Sequence, residues 1–186
     1  GNGGAQAFAQ IGMGGLLHDG IFNGIVPIST TVSATGAITL QGGGASNTYA
    51  QIGAGGAGGG LVSDIGHRHN AGVSVTGASV SLTAGGSTSA YAQIGSGGGR
   101  TGSGNRSEGD VSGDVIVSAT SGEVTLTGGG NNYSYAQIGH GGSGVVGALS
   151  GDIRVTASGA VSLTGRTGSG TYAQIGHGGD AGSGVM

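Results

Sequence analysis

A chain of 186 residues in which 50 are glycine, one is proline, none is cysteine and only 7% are charged departs far from an average globular composition, with its roughly 7% glycine and about 25% charge. Collagen is excluded because the glycines do not fall at every third position and proline is nearly absent. Simple disorder is excluded because Val, Ile, Thr and Tyr are interleaved with the glycines instead of being depleted. The net charge of −3 is thinly spread, without the basic stripe that nucleic acid requires, and no run approaches the ~20 apolar residues of a membrane helix.

In chain order, the first recurring element is Ala9-Gln10-Ile11-Gly12, preceded by the aromatic Phe8. The same string returns four times, each time behind a tyrosine: after Tyr49 at Ala50 to Gly53, after Tyr91 at Ala92 to Gly95, after Tyr135 at Ala136 to Gly139 and after Tyr172 at Ala173 to Gly176. The glutamines Gln10, Gln51, Gln93, Gln137 and Gln174 lie 41, 42, 44 and 37 residues apart. A period that varies this much predicts fixed strands joined by elastic loops. The chain divides accordingly into a partial repeat 1–12, repeats 13–53, 54–95, 96–139 and 140–176, and a tail 177–186, a single repetitive unit that opens and closes in mid-pattern and reads as a segment of something longer.

Between these strings two further segments recur. The first repeat has Val32-Ser33-Ala34 and Ile38-Thr39-Leu40, and the second has Val73-Ser74-Val75 and Val80-Ser81-Leu82-Thr83. The third has Asp114-Val115-Ile116-Val117-Ser118-Ala119 and Val124-Thr125-Leu126-Thr127. The last has Asp152-Ile153-Arg154-Val155-Thr156-Ala157 and Val161-Ser162-Leu163-Thr164. Alternation of β-branched or apolar residues with small polar ones is the pattern of a half-buried strand. The expected fold is therefore all-β, a parallel β-helix (β-solenoid) with about three short strands per 37–44-residue repeat and Gly-rich loops at one corner. Val and Leu are expected inside, Ser and Thr in water, and glycine at corners that need positive φ.

The third strand leaves two readings open. With Ala and Ile inward, the favoured one, the glutamines form a ladder of amide hydrogen bonds up an outer face beside a column of stacked aromatic rings. With Gln inward, the ladder satisfies itself internally. Both assign Phe8, Tyr49, Tyr91, Tyr135 and Tyr172, with Gln10, Gln51, Gln93, Gln137 and Gln174, a structural role. The loops leaving each copy, such as Gly53 to Gly72 and Gly95 to Gly113, carry apolar residues (among them Leu16, Phe22, Leu61, Ile65, Val145 and Leu149) that either cover the sheet or meet a neighbouring molecule.

Laid out this way, Gly-Asp-Ile-x-Val-x-Ala-x-Gly-x-Val-x-Leu-Thr-Gly followed by Tyr-Ala-Gln-Ile-Gly-His-Gly-Gly resembles the repeats of large filamentous-haemagglutinin-like bacterial exoproteins, best at Gly113 to Gly142 and Gly151 to Gly179. The resemblance implies a right-handed β-helical shaft, export by two-partner or autotransporter secretion to the cell surface or medium, and a part in adhesion, aggregation or biofilm. The first two repeats depart from it, with Met13 and Ala54 where His140 and His177 stand.

Catalysis is not expected. Asp114 and Asp152 stand at equivalent positions, where Ser29 and Gly72 occupy the other repeats, and stacked carboxylates about 5 Å apart would suit a retaining glycosidase. An Asp directly after Gly at the start of a strand is better read as a cap on its own turn. His67 and His69, and separately His140 and His177, offer two metal ligands each and no third. Gly178 to Gly182 lacks the order of calcium-binding nonapeptides, and the glycine strings lack the lysine and helix of a phosphate loop. Asn105 and Asn132 open glycosylation sequons of no consequence in a bacterial product. No cofactor and no metal are expected. A β-helical polysaccharide-binding or polysaccharide-degrading protein is the alternative, and ice binding is disfavoured because the outward positions mix Thr39, Ser81, Thr125 and Ser162. The expected partners are the chain itself, end to end or side by side, since Gly1 to Gly4 and Gly182 to Met186 offer no cap, or host and matrix glycans or proteins. Nucleic acid and a membrane-spanning segment are not expected.

Overall fold

The computed structural model describes residues 6–15, 29–57, 68–99 and 110–180, with the side chains of Arg68 and His69 outside that description. Among the described residues the chain is all-β, without a helix, and every strand pairing is parallel. Among the described residues no helix is long and apolar enough to cross a membrane.

The strands in chain order are β1 (Phe8–Ile11), β2 (Thr30–Ser33), β3 (Ile38–Gln41), β4 (Tyr49–Ile52), β5 (Arg68–Asn70), β6 (Val73–Gly77), β7 (Val80–Thr83), β8 (Tyr91–Ile94), β9 (Asp110–Ser112), β10 (Val115–Ala119), β11 (Val124–Thr127), β12 (Tyr135–Ile138), β13 (Ile153–Ala157), β14 (Val161–Thr164) and β15 (Tyr172–Ile175). They form one sheet ordered β1-β4-β8-β12-β15, a second ordered β13-β10-β6-β2 and a third ordered β14-β11-β7-β3. Equivalent strands of successive repeats are thus hydrogen-bonded neighbours, and the strands contributed by one repeat, together with the glycine corner that follows them, are called a tier below. Register is residue on residue: Ala9 opposes Ala50, Ala50 opposes Ala92, Ala92 opposes Ala136 and Ala136 opposes Ala173.

The physical reason is the period-2 alternation, because a one-residue slip would turn each apolar set outward. Val73, Val75, Val80 and Leu82 lie beside Val115, Val117, Val124 and Leu126 in one core, joined from the first sheet by Ala50, Ile52, Ala92, Ile94, Ala136 and Ile138. Each fully buried Val, Leu or Ile contributes roughly 1.5–3 kcal/mol. The core opens at the last tier. Val124 and Leu126 are 0% and 1% exposed, whereas Val161 and Leu163, the same pair in the last tier, are 46% and 45% exposed.

Two expectations need correction. Three strands per repeat is an undercount for the second and third repeats, because β5 and β9 pair as a further two-stranded sheet, extended by a bridge between Val111 and Leu149. Ala71, Val111, Val145 and Leu149 bury one another beneath this wing, so Val145 and Leu149 serve the chain's own packing. The other loop residues named above, Leu16, Phe22, Leu61 and Ile65, lie outside the described residues, as do the termini at 1–4 and 182–186. Nor does glycine take every corner with positive φ. Two residues ahead of each aromatic the left-handed conformation belongs to Gln6, Asn47, Ser89 and Tyr133, and to glycine only at Gly170.

Candidate functional site: the tyrosine–glutamine column and its corner clasp

In each Tyr-Ala-Gln-Ile strand Ala and Ile enter the main core, which leaves Tyr and Gln on the opposite side. That side is not open to water. After the strand the chain doubles back through glycines at φ values no other residue favours, among them Gly53 (138°), Gly55 (106°) and Gly56 (148°), and lies over the Tyr and Gln side chains. Tyr49, Tyr91, Tyr135, Gln93 and Gln137 are all 0% exposed. Tyr49, Ala57, Tyr91 and Tyr135 make a second core with Tyr172 against it.

The rings stack almost face to face. Phe8 to Tyr49 is 5.0 Å between centroids, and Tyr49–Tyr91, Tyr91–Tyr135 and Tyr135–Tyr172 are 4.8 Å each, with planes within 8° of parallel. This is the strand spacing imposed on identical side chains held in register.

The glutamines do not bond to one another, which corrects the expected amide ladder. Gln93 Nε2 donates to the carbonyls of Gly139 (3.1 Å) and Gly141 (2.9 Å), both in the corner of the next tier. Gln51 does the same to Gly95 and Gly97, Gln137 to Gly176 and Gly178, and Gln10 to Gly53 and Gly55. Gln174, in the last tier, donates to the carbonyl of His177. Each remaining amide oxygen accepts the hydroxyl of the next tier's tyrosine: Tyr49 to Gln10, Tyr91 to Gln51, Tyr135 to Gln93 and Tyr172 to Gln137, at 3.2–3.3 Å. A glutamine fits because a primary amide carries two donors and an acceptor on one short arm. The column therefore locks each tier to the next through side chains as well as backbone.

Burial, the largest cause, pushes the phenols of Tyr49, Tyr91, Tyr135 and Tyr172 above their ordinary value of 10.0. In a Tyr133→Phe background, an alkaline titration followed by phenolate absorbance is expected to stay flat through 10 and rise in one cooperative step together with loss of the β-sheet circular dichroism. A gradual rise near 10 with the sheet intact would contradict the buried column.

A position that the sequence offered only as a pair of metal ligands, His140 and His177, completes the site. The residue after Ala-Gln-Ile-Gly is Met13, Ala54, Ser96, His140 and His177 in turn. The backbone N–H of Ala54 donates to Ser96 Oγ (3.1 Å), that of Ser96 to His140 Nδ1 (3.0 Å), and that of His140 to His177 Nδ1 (3.1 Å). The same side chains reach back to the residues just before β6, β10 and β13 in their own tiers. Ser96 Oγ donates to the carbonyl of Ala71, His140 Nε2 to that of Gly113 (2.8 Å) and His177 Nε2 to that of Gly151 (3.0 Å). Since a backbone N–H can only donate, both Nδ1 atoms are unprotonated acceptors and both Nε2 atoms carry the hydrogen. The two imidazoles stack at 5.0 Å. Burial lowers the His140 pKa to about 4 and outweighs the bond to Gly113; His177 lowers it further and Asp114 opposes. The signal was legible only as side chains that accept hydrogen bonds at 96, 140 and 177.

These bonds leave neither imidazole a free lone pair for a metal, and no group of three His, Cys, Asp or Glu able to hold one lies among the described residues. His67 and the His69 side chain lie outside them, as does part of Gly178 to Gly182. Asp114 does not cap its own turn: Oδ1 accepts the N–H of Asp152, one tier on, at 3.0 Å. Asp110 Oδ1 takes the N–H of Ala148 in the same manner, at 2.7 Å. The recurring use of side chains here is to satisfy the neighbouring tier's backbone where the strand ladder is interrupted. No family model matches this chain, and no curated protein or solved structure matches it either.

Proposed function

We propose that this chain is a shaft segment of a secreted or cell-surface bacterial adhesin or extracellular fibre, that its three parallel sheets wind as a right-handed β-helix, and that it has no catalytic activity. The observation that carries this reading is the interlocked Tyr–Gln column, in which the amides of Gln51 and Gln93 and the hydroxyls of Tyr91 and Tyr135 are spent on neighbouring tiers. A machine built for chemistry keeps such groups free in a cleft. Asp114, the acid best placed for glycoside cleavage, instead holds a backbone N–H. The likeness of the last two repeats to filamentous-haemagglutinin-like exoproteins points the same way, toward extracellular display, self-association into fibres and contact with matrix or host glycans and proteins.

The test is a concentration series of the purified segment by light scattering and negative-stain microscopy, run beside reducing-end assays on polysaccharides. Thin rods that lengthen with concentration and no sugar release are expected, with no change in the Asp114→Asn and Asp152→Asn variants. A strictly monomeric particle at high concentration counts against the fibre. Sugar release abolished by either substitution would replace this reading with that of a polysaccharide-degrading β-helix.

A further inference from the structure

The clasp residues differ in one chemical respect. Ser96 carries a hydroxyl, whereas His140 and His177, which follow it in the same column, carry imidazoles. We propose that the stacked His140–His177 pair is an acid-released latch, whose protonation frees the corners of the last two tiers while the corners at Ala54 and Ser96 stay shut.

The geometry dictates the direction. Each Nδ1 receives a backbone N–H from the tier before, Ser96 to His140 and His140 to His177. A proton added at Nδ1 would set donor against donor, so the ring has to leave that site. Leaving also breaks the Nε2 bonds to Gly113 and Gly151, the ties between each corner and the residues just before the first core strand of its own tier. The charged groups facing His140 are few. Asp114 supplies an opposing charge, with Oδ1 already held by Asp152 N–H, and His177 supplies a like charge once protonated, 5.0 Å away. The pair is thus poised to leave together. Serine in the same place makes the equivalent bonds, from Ala54 N–H and to the Ala71 carbonyl, without any titrating atom.

The pH window follows from His140, whose pKa falls from 6.5 to about 4 on folding. Above 6.5 the ring is neutral in both folded and unfolded chains, so the clasp is fully effective. Between 6.5 and about 4 only the open form takes up the proton, and closure is lost progressively as the pH falls.

The experiment is amide hydrogen exchange by mass spectrometry on the intact chain from neutral pH to about 4, corrected for intrinsic rates. Protection at Gly139 to Ala157 is expected to fall at least about tenfold across this window, to return on neutralisation, and to fall far less at Ile38 to Ile52. In the His140→Ser, His177→Ser double variant the fall should vanish. Ser96→His should carry it into Gly95 to Gly99. Equal acid loss in the double-serine variant, no selective loss in the parent chain, or a Ser96→His corner as acid-resistant as before would each overturn the latch. Because Ser96→His adds a clasp, that arm reads out even where the double variant fails to fold. The result does not depend on the adhesin reading.

Discussion

Replacing Gly95 with alanine is expected to destabilise the protein by roughly 4 kcal/mol, the sum of backbone strain and overpacking. Gly95 adopts φ +140°, and a Cβ there would overlap the carbonyl oxygen of Gly139 and lie 2.5 Å from its carbonyl carbon. Both atoms are backbone, so no side-chain rotation relieves the clash. The same geometry recurs up the column, with Gly12 against Gly53, Gly53 against Gly95 and Gly139 against Gly176, so the displaced corner pushes on its neighbours in turn. Urea unfolding followed by circular dichroism measures the cost. Gly130→Ala is the control, because a Cβ there meets nothing within 4 Å, and it should stay within about 0.5 kcal/mol of the parent. Equal midpoints for the two variants would mean that the corners do not stack this closely.

Gln93→Leu should cost nearly as much, about 3–4 kcal/mol, although leucine is similar in size and apolar. The substitution strips the Tyr135 hydroxyl of its acceptor and the Gly139 and Gly141 carbonyls of a donor, in a place with no exposed surface. A buried polar group left without a partner costs about 1–3 kcal/mol. Gly141 retains the N–H of Gly98, so the loss concentrates on Tyr135 and Gly139. A double-mutant cycle separates the shares. Tyr135→Phe alone should cost about 1 kcal/mol, and adding it to Gln93→Leu should cost almost nothing more, since the hydroxyl has already lost its acceptor. Strict additivity of the two changes would show that the Tyr–Gln bond is not the link between tiers.

The repeat Tyr-Ala-Gln-Ile-Gly and the alternation in segments such as Val115 to Ala119 were sufficient to define three strands per repeat, their parallel register and the inward faces of the two alternating ones. Strand geometry has a side-chain period of two, and identical strings gain most when like residues stack. The sequence alone likewise offered no apolar run long enough for a membrane helix. What covers the outer side of that strand was decided only in three dimensions. The corner segments are mostly glycine and carry no periodic pattern, so nothing local says that Gly53 to Ala57 folds back over Tyr49 and Gln51 and turns an expected surface ladder into a second core. The added sheet of β5 and β9 is too short to show alternation. The partners of Asp114, Ser96 and His140 lie in a neighbouring tier or far back in the same one, 25–44 residues away along the chain. Which backbone group a side chain satisfies at such a distance depends on how tiers stack and where the ladder breaks, and that is a property of the assembled fold.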